Sequence, residues 1–245
     1  MIVLVTGANR GLGLCLAREG LNRGHTLIAA CRSVSPELEA LKSEYTSALH
    51  IVKMDVGQED SVCRAAEEIK RNFSRVDVVV NNAAILLESK FFAGDPVTDL
   101  PLPDLEAALN VNVMGPIRVL HYLMPLVYHS EAPQIYNISS EGGKLKPQGS
   151  HYIGYSISKY ALNMYTQKIR NYFQERRPEK HIRTFMVHPG RMNTVMGVEN
   201  AQIEPEVPSK GLWDIFESKC PVPDFEIPFI DYMGNRMPDY YQPEA

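Results

Sequence analysis

The chain has 245 residues, of which 44% are hydrophobic and 22% charged, with a net charge of -4; these totals describe one ordinary globular domain and exclude a fibre or a disordered segment. No basic stripe or long acidic block is present, so neither nucleic acid nor a membrane surface is an expected partner, and no apolar run approaches the roughly 18 residues of a membrane span. Cys15, Cys31, Cys63 and Cys220 are too dispersed for a disulfide frame or a zinc site, and Met1–Val5 is too short for a signal sequence, which together predict reduced thiols, no metal and a cytoplasmic protein.

Ile2 to Thr6 is a β-branched and aliphatic run suited to a strand buried on both faces. It ends in Thr6-Gly-Ala-Asn-Arg-Gly-Leu-Gly13, which opens a helix through Leu14, Leu16, Ala17 and Leu21 that stops at Arg23-Gly24. The alternation repeats: strand Thr26 to Cys31, helix Pro36 to Tyr45, strand His50 to Met54, helix Ser61 to Phe73, strand Val76 to Val80. A helical region from Leu105 to Tyr128 contains Pro116 and Pro125, which leave its continuity open. Strands follow at Gln134–Ile138 and Ile182–Val187, with a helix from about Tyr155 to Glu175 between them, and Phe229–Tyr232 reads as a last strand. Strands and helices alternating at this spacing predict a single α/β domain over 1–245, doubly wound in the Rossmann manner, with a mostly parallel seven-stranded sheet flanked by helices. Residues 191–228 are proline-rich, with a short helical patch at Trp213 to Lys219, and read as a mobile substrate-binding flap; 238–245 reads as a tail.

A glycine turn between a buried strand and an apolar helix lets backbone amides approach a pyrophosphate at the helix N-terminus. Gly7, Asn9, Arg10, Gly11, Leu12 and Gly13 are therefore expected to bind a dinucleotide. An acidic residue ending the second strand would select NAD; this chain has Cys31-Arg32 there. The guanidinium groups of Arg32 and Arg10 suit a 2′-phosphate, which predicts NADP(H). Tyr155 and Lys159 stand one helical turn apart on the same face, where a neighbouring cation draws a phenol toward working pH and equips it to exchange a proton with a carbonyl or alcohol.

With these motifs in order, followed by Asp55-Val56, Asn81-Asn-Ala83, Asn112-Val-Met-Gly115, Asn137-Ile-Ser-Ser140, Tyr155-x-x-x-Lys159 and Pro189-Gly190 with Thr194, the chain resembles the short-chain dehydrogenase/reductase family from about Ile2 to Thr194. The resemblance implies a carbonyl-reductase-like enzyme that reduces a small-molecule ketone or aldehyde with NADPH, or runs the reverse with NADP+. Tyr155 would be the general acid, Lys159 its tuning cation and a ribose contact, Ser140 a hydrogen-bond donor to the carbonyl oxygen, and Asn112 a support for Lys159 and a relay water. Asp55 and Val56 would meet the adenine, Asn82 and Ala83 the pocket floor, and Pro189, Gly190 and Thr194 the nicotinamide side. A homodimer through the helix before Tyr155 and the helix that carries it is also implied.

The chain departs from the family pattern at Ala84, where glycine is usual and a negative φ would make alanine tolerable, and in the separation of Ser140 from Tyr155, which implies a longer loop through Lys144 to His151. That loop leaves Ser139 a rival to Ser140, and an NADPH-binding sensor with little turnover a rival to the enzyme. An epimerase or dehydratase would carry a larger C-terminal domain. Tyr152 competes with Tyr155 but finds Ser156, not lysine, four residues on. His188 reads as a strand-end structural residue, Asp77 and the pairs Glu59-Asp60 and Glu67-Glu68 as solvated, and Trp213 with Phe216 as either a wall or a lid of the substrate pocket.

Overall fold

The computed structural model describes residues 1–88, 94–95, 97–144, 149–196 and 201–238. Residues 89–93 and 96, parts of the lengthened loop (145–148) and of the flap (197–200), and nearly all of the tail (239–245), lie outside the described residues.

Strands β1 (Ile2–Thr6), β2 (Thr26–Cys31), β3 (Leu49–Lys53), β4 (Val78–Asn81), β5 (Gln134–Ile138), β6 (Arg183–His188) and β7 (Phe229–Asp231) form one sheet in the order β3-β2-β1-β4-β5-β6-β7. Every pairing is parallel, because each connection crosses over through a helix: α1 (Gly11–Asn22), α2 (Pro36–Glu44), α3 (Glu59–Asn72), α4 (Leu102–Leu109) with α5 (Gly115–Tyr128), α6 (Ile153–Arg176) and α7 (Glu206–Phe216). Alternate residues of β1 feed two cores. Val3 and Val5 join the layer containing α1 and α7, while Leu4 joins the layer containing α3 and α5. The strand order reverses between β1 and β4, and in such sheets the crevice at the strands' carboxyl ends is where ligands bind.

The helical region before β5 is interrupted. Asn110–Met114 forms a π-helical turn between α4 and α5 and runs directly into α5, with Pro116 just beyond it, so the irregular turn lies where proline cannot donate to the preceding carbonyls. Gly24, at φ +81, ends α1 by a left-handed turn in which His25 N–H reaches Gly20 C=O at 2.9 Å.

Two sequence expectations need correction. The helix in the 191–228 segment spans Glu206–Phe216, and Trp213 and Phe216 are neither wall nor lid of a pocket: both are buried in the core. Trp213 donates Nε1–H to Leu16 C=O at 2.9 Å and stacks on His25 with ring centroids 4.8 Å apart. Asp77 is buried and not solvated, because its carboxylate accepts from Ile2 N–H and Ser130 Oγ, both at 2.7 Å, and pairs with Arg75. Burial raises its pKa, but those donors outweigh it and leave the carboxyl below its ordinary value.

Candidate active site

The carboxyl ends of β1 and β4 are laced together at the switch point. Thr6 Oγ1 accepts from the amides of Asn82 and Ala83, both at 3.0 Å, while Asn82 Nδ2 donates to Thr6 C=O at 2.9 Å. Beside this seam a cleft of about 670 Å3 opens. Gly7 and Gly11 stand in the left-handed region at φ +67 and +53, and a side chain at Gly7 would strike Ala83 at 3.0 Å. Gly13 serves packing: a Cβ there would lie 2.3 Å from Gly7 C=O, so only glycine lets α1 lie this close to β1. Arg10, the extended residue before α1, offers no side-chain cap to the helix's first amides, which suits that N-terminus to an anion.

Of the residues expected to bind the dinucleotide, Gly7, Asn9, Arg10, Gly11, Leu12, Arg32, Asp55, Val56, Asn82, Ala83, Tyr155, Lys159, Pro189 and Thr194 border this cleft. Gly13 and Gly190 shape backbone without lining it; Gly190, at φ +86, underlies the Pro189–Arg191 turn. Ala84 is not among the described non-glycine residues with positive φ, so the missing glycine costs nothing. Sequence reasoning overlooked Cys15, Arg18 and Glu206 as lining residues. The spacing Gly11, Cys15, Arg18 is one helical face and was the available signal.

Tyr155 and Lys159 both lie on the inner side of α6, with Lys159 Nζ 5.5 Å from the Tyr155 ring centroid and donating to Ile138 C=O at 2.8 Å. Burial pushes the Lys159 ammonium down to about 7 and the Tyr155 phenol up to about 12, the latter opposed by a hydrogen bond with Ser140. Tyr155 is only partly buried at the cleft wall, and water there limits how far the phenol rises. The direction is the reverse of the lowering expected from Lys159 alone, and it keeps the phenol protonated at neutral pH.

The two candidate serines differ. Ser139 borders the cleft with a buried hydroxyl that has no partner among the described residues. Ser140 caps the short 3-10 turn Glu141–Gly143, accepting from Gly142 N–H at 3.1 Å, and is the serine whose hydroxyl acts on the Tyr155 phenol. The turn itself is anchored, since Glu141 N–H donates to His188 Nδ1 at 3.3 Å and Glu141 pairs with Arg191 at 2.6 Å. Asn112, in the π-helical turn, accepts from Ile85 N–H at 2.8 Å and donates to Ile85 C=O and Ser158 Oγ, both at 2.9 Å. Its hydrogen bonds go to the neighbour of Lys159 in the chain, not to Lys159 itself. Tyr152 stands at φ 57, ahead of the helix.

Comparison with known proteins gives the same frame. The chain is similar to an uncharacterised oxidoreductase of Schizosaccharomyces pombe, 31% identical over 234 residues, covering 91% of this chain and 85% of the relative. Human retinol dehydrogenase 5 is 32% identical over 198 residues, covering 78% of this chain and 57% of the relative, so this chain matches little more than half of that protein. Among solved structures, carbonyl reductase Sniffer of Drosophila melanogaster superposes with a TM-score of 0.82 at 23% identity, covering 96% of this chain and 98% of the other. The NADPH-bound carbonyl reductase from chicken fatty liver gives 0.79 at 24% identity, covering 96% and 97%. Among the described residues no helix is long and apolar enough to cross a membrane. The short chain dehydrogenase family model matches residues 1–204, and the chain therefore belongs to that family of oxidoreductases.

Proposed function

We propose that the protein reduces the carbonyl of a small ketone or aldehyde with NADPH, or oxidises the corresponding alcohol with NADP+. The observation that carries this reading is the placement of Tyr155 between Ser140, whose hydroxyl favours the phenolate, and Lys159, at the wall of a cleft whose lining also includes Arg10 and Arg32. The cleft suits the dinucleotide: the glycine turn leaves no side chain in the way of a pyrophosphate, and the two arginines match a 2′-phosphate. Gly7 to Leu12 would hold the phosphates, Arg32 and Arg10 the 2′-phosphate, Asp55 and Val56 the adenine, and Lys159 with Pro189 and Thr194 the nicotinamide end. When bound, NADPH supplies the hydride.

The chain's own residues handle the oxygen. Ser140 Oγ accepts from Gly142 N–H, which leaves its own proton to donate, to the Tyr155 oxygen or to the substrate oxygen as charge develops there. Tyr155, kept protonated by burial, donates its proton to that oxygen, and reverses the step in oxidation. Lys159, fixed by Ile138 C=O, stabilises the phenolate that remains. Ser140 reaching Tyr155 supports the enzyme over the sensor, since a displaced serine was the reason to consider the latter. Exposed Ile157, Met164 and Tyr172 on α6 support a homodimer through that helix, and the free cysteines suit a cytoplasmic location.

The test is NADPH consumption over a panel of quinones, aldehydes and ketones. Turnover by the wild type that falls by about 10²-fold or more in Tyr155→Phe is the expected result. Tight NADPH binding without turnover on any member of the panel would instead favour the sensor.

A further inference from the structure

Helix α6 carries Tyr155 in its first turn, yet the chain supplies no local cap for it. The residue before the helix is Tyr152, which has no capping side chain and is held in the left-handed region at φ 57, an unusual conformation for a bulky residue. The first amides of α6 are instead met from far away in sequence. Glu88, in the segment that follows β4, accepts from Gly154 N–H through Oε1 at 2.9 Å and from Tyr155 N–H through Oε2 at 2.6 Å. A carboxylate at this end also complements the helix dipole.

The same segment is fastened to α6 a second time. Asn112 grips both backbone groups of Ile85 and bonds Ser158 Oγ, and Ser158 in turn donates to Tyr155 C=O at 2.7 Å. The backbone of Tyr155 is thus held at its N–H by Glu88 and at its C=O through Ser158 and Asn112. Glu88 fixes where the ring begins, and Ser140 meets it where the hydroxyl ends.

We propose that Glu88 is a positioning residue for Tyr155: its carboxylate sets the first turn of α6 so that the phenol meets Ser140 and the substrate oxygen together. This rests on the carbonyl-reductase reading, in which Tyr155 is the proton donor. Among the described residues Glu88 bonds only to backbone amides of α6; Gly7, Arg10 and Arg32, which would hold the phosphates, lie on other elements, and Lys159, the α6 residue at the nicotinamide end, is held separately by Ile138 C=O. Its loss should therefore separate turnover from cofactor binding.

The experiment compares Glu88→Ala, Glu88→Gln and Tyr155→Phe in full-length protein. Glu88→Ala should lower kcat by about ten- to a hundredfold, the scale of a misplaced reacting group, with the Kd for NADPH unchanged. Glu88→Gln, which keeps one acceptor, should fall between that variant and the wild type. If Glu88→Ala does not fold, Glu88→Gln decides alone: a lowered kcat at unchanged NADPH Kd supports the proposal, and wild-type kcat overturns it. A parallel loss of kcat and NADPH affinity also overturns it, because the role is then merely structural. Tyr155→Phe in the same assay separates the two ideas: if it retains turnover the carbonyl-reductase reading fails, whereas if it is inactive and Glu88→Ala keeps wild-type kcat, only the positioning role fails. Carbon-13 tyrosine NMR reads the proposal without a substrate: the signal absent in Tyr155→Phe should move or broaden in Glu88→Gln, and an unchanged signal contradicts it.

Discussion

Trp213 is the sharpest test of how the C-terminal segment is built. Its indole is fully buried, donates to Leu16 C=O at 2.9 Å, stacks on His25, and fills the notch left by Gly20, where a Cβ would stand 2.1 Å from Trp213 Cζ2. Trp213→Phe removes the hydrogen bond, about 1 kcal/mol, and leaves part of the notch empty, roughly another 1 kcal/mol. For a chain of this length a loss of about 2 kcal/mol lowers Tm by about 4–8 °C. Gly20→Ala alone should overpack the same notch and cost about 1–3 kcal/mol. The two changes touch one another, so together they should cost less than their sum, by roughly 0.5 kcal/mol or more. Urea and thermal unfolding of the two single variants and the double variant, with NADPH binding measured alongside, complete the cycle. An unchanged Tm in Trp213→Phe with an altered substrate KM would place the indole in the pocket and refute the packing argument; strict additivity would refute the shared notch.

Arg32→Asp should weaken NADPH binding far more than NADH binding, measured by fluorescence titration with both cofactors; equal losses would remove the 2′-phosphate assignment. Glu217 accepts from Arg23, His25 and Lys219. Burial raises its pKa, but these partners outweigh it and bring it from 4.5 to about 2. A folded-state pKa below the unfolded one means that the stability Glu217 contributes is complete above pH 4.5 and is lost as pH falls toward 2. Glu217→Gln should therefore be less stable than the wild type at neutral pH, with the gap closing as acid is added; urea unfolding across pH gives the two curves, and parallel curves would count against the network.

The parallel sheet was legible because each strand is a short apolar run bounded by a helix with its own period, and the chemistry was legible where it is local. Gly7 to Gly13 and Tyr155 to Lys159 act over distances set by one turn or one helical repeat. What the sequence hid is what depends on distant partners. Nothing near Glu88 in the chain announces that it caps a helix 66 residues on, and Asp77 reads as solvated until Ile2, Ser130 and Arg75 close over it. The prolines of the C-terminal segment read as a flap, yet Pro208 sits in the first turn of α7, where a missing N–H is tolerated, and Leu212 to Phe216 complete the core against α1. The direction of the Tyr155 pKa was likewise out of reach, since helical spacing shows the lysine but not the burial that opposes it.

In the proposed reaction Tyr155 delivers the proton while hydride passes from NADPH to a carbonyl carbon. Its most direct test is to supply NADPH deuterated at the transferable position of the nicotinamide, with a carbonyl substrate taken from the panel, and to examine the alcohol formed. Deuterium on the carbinol carbon is expected from the wild type, and essentially no labelled alcohol from Tyr155→Phe. Alcohol without deuterium, or equal labelling by both proteins, would contradict it.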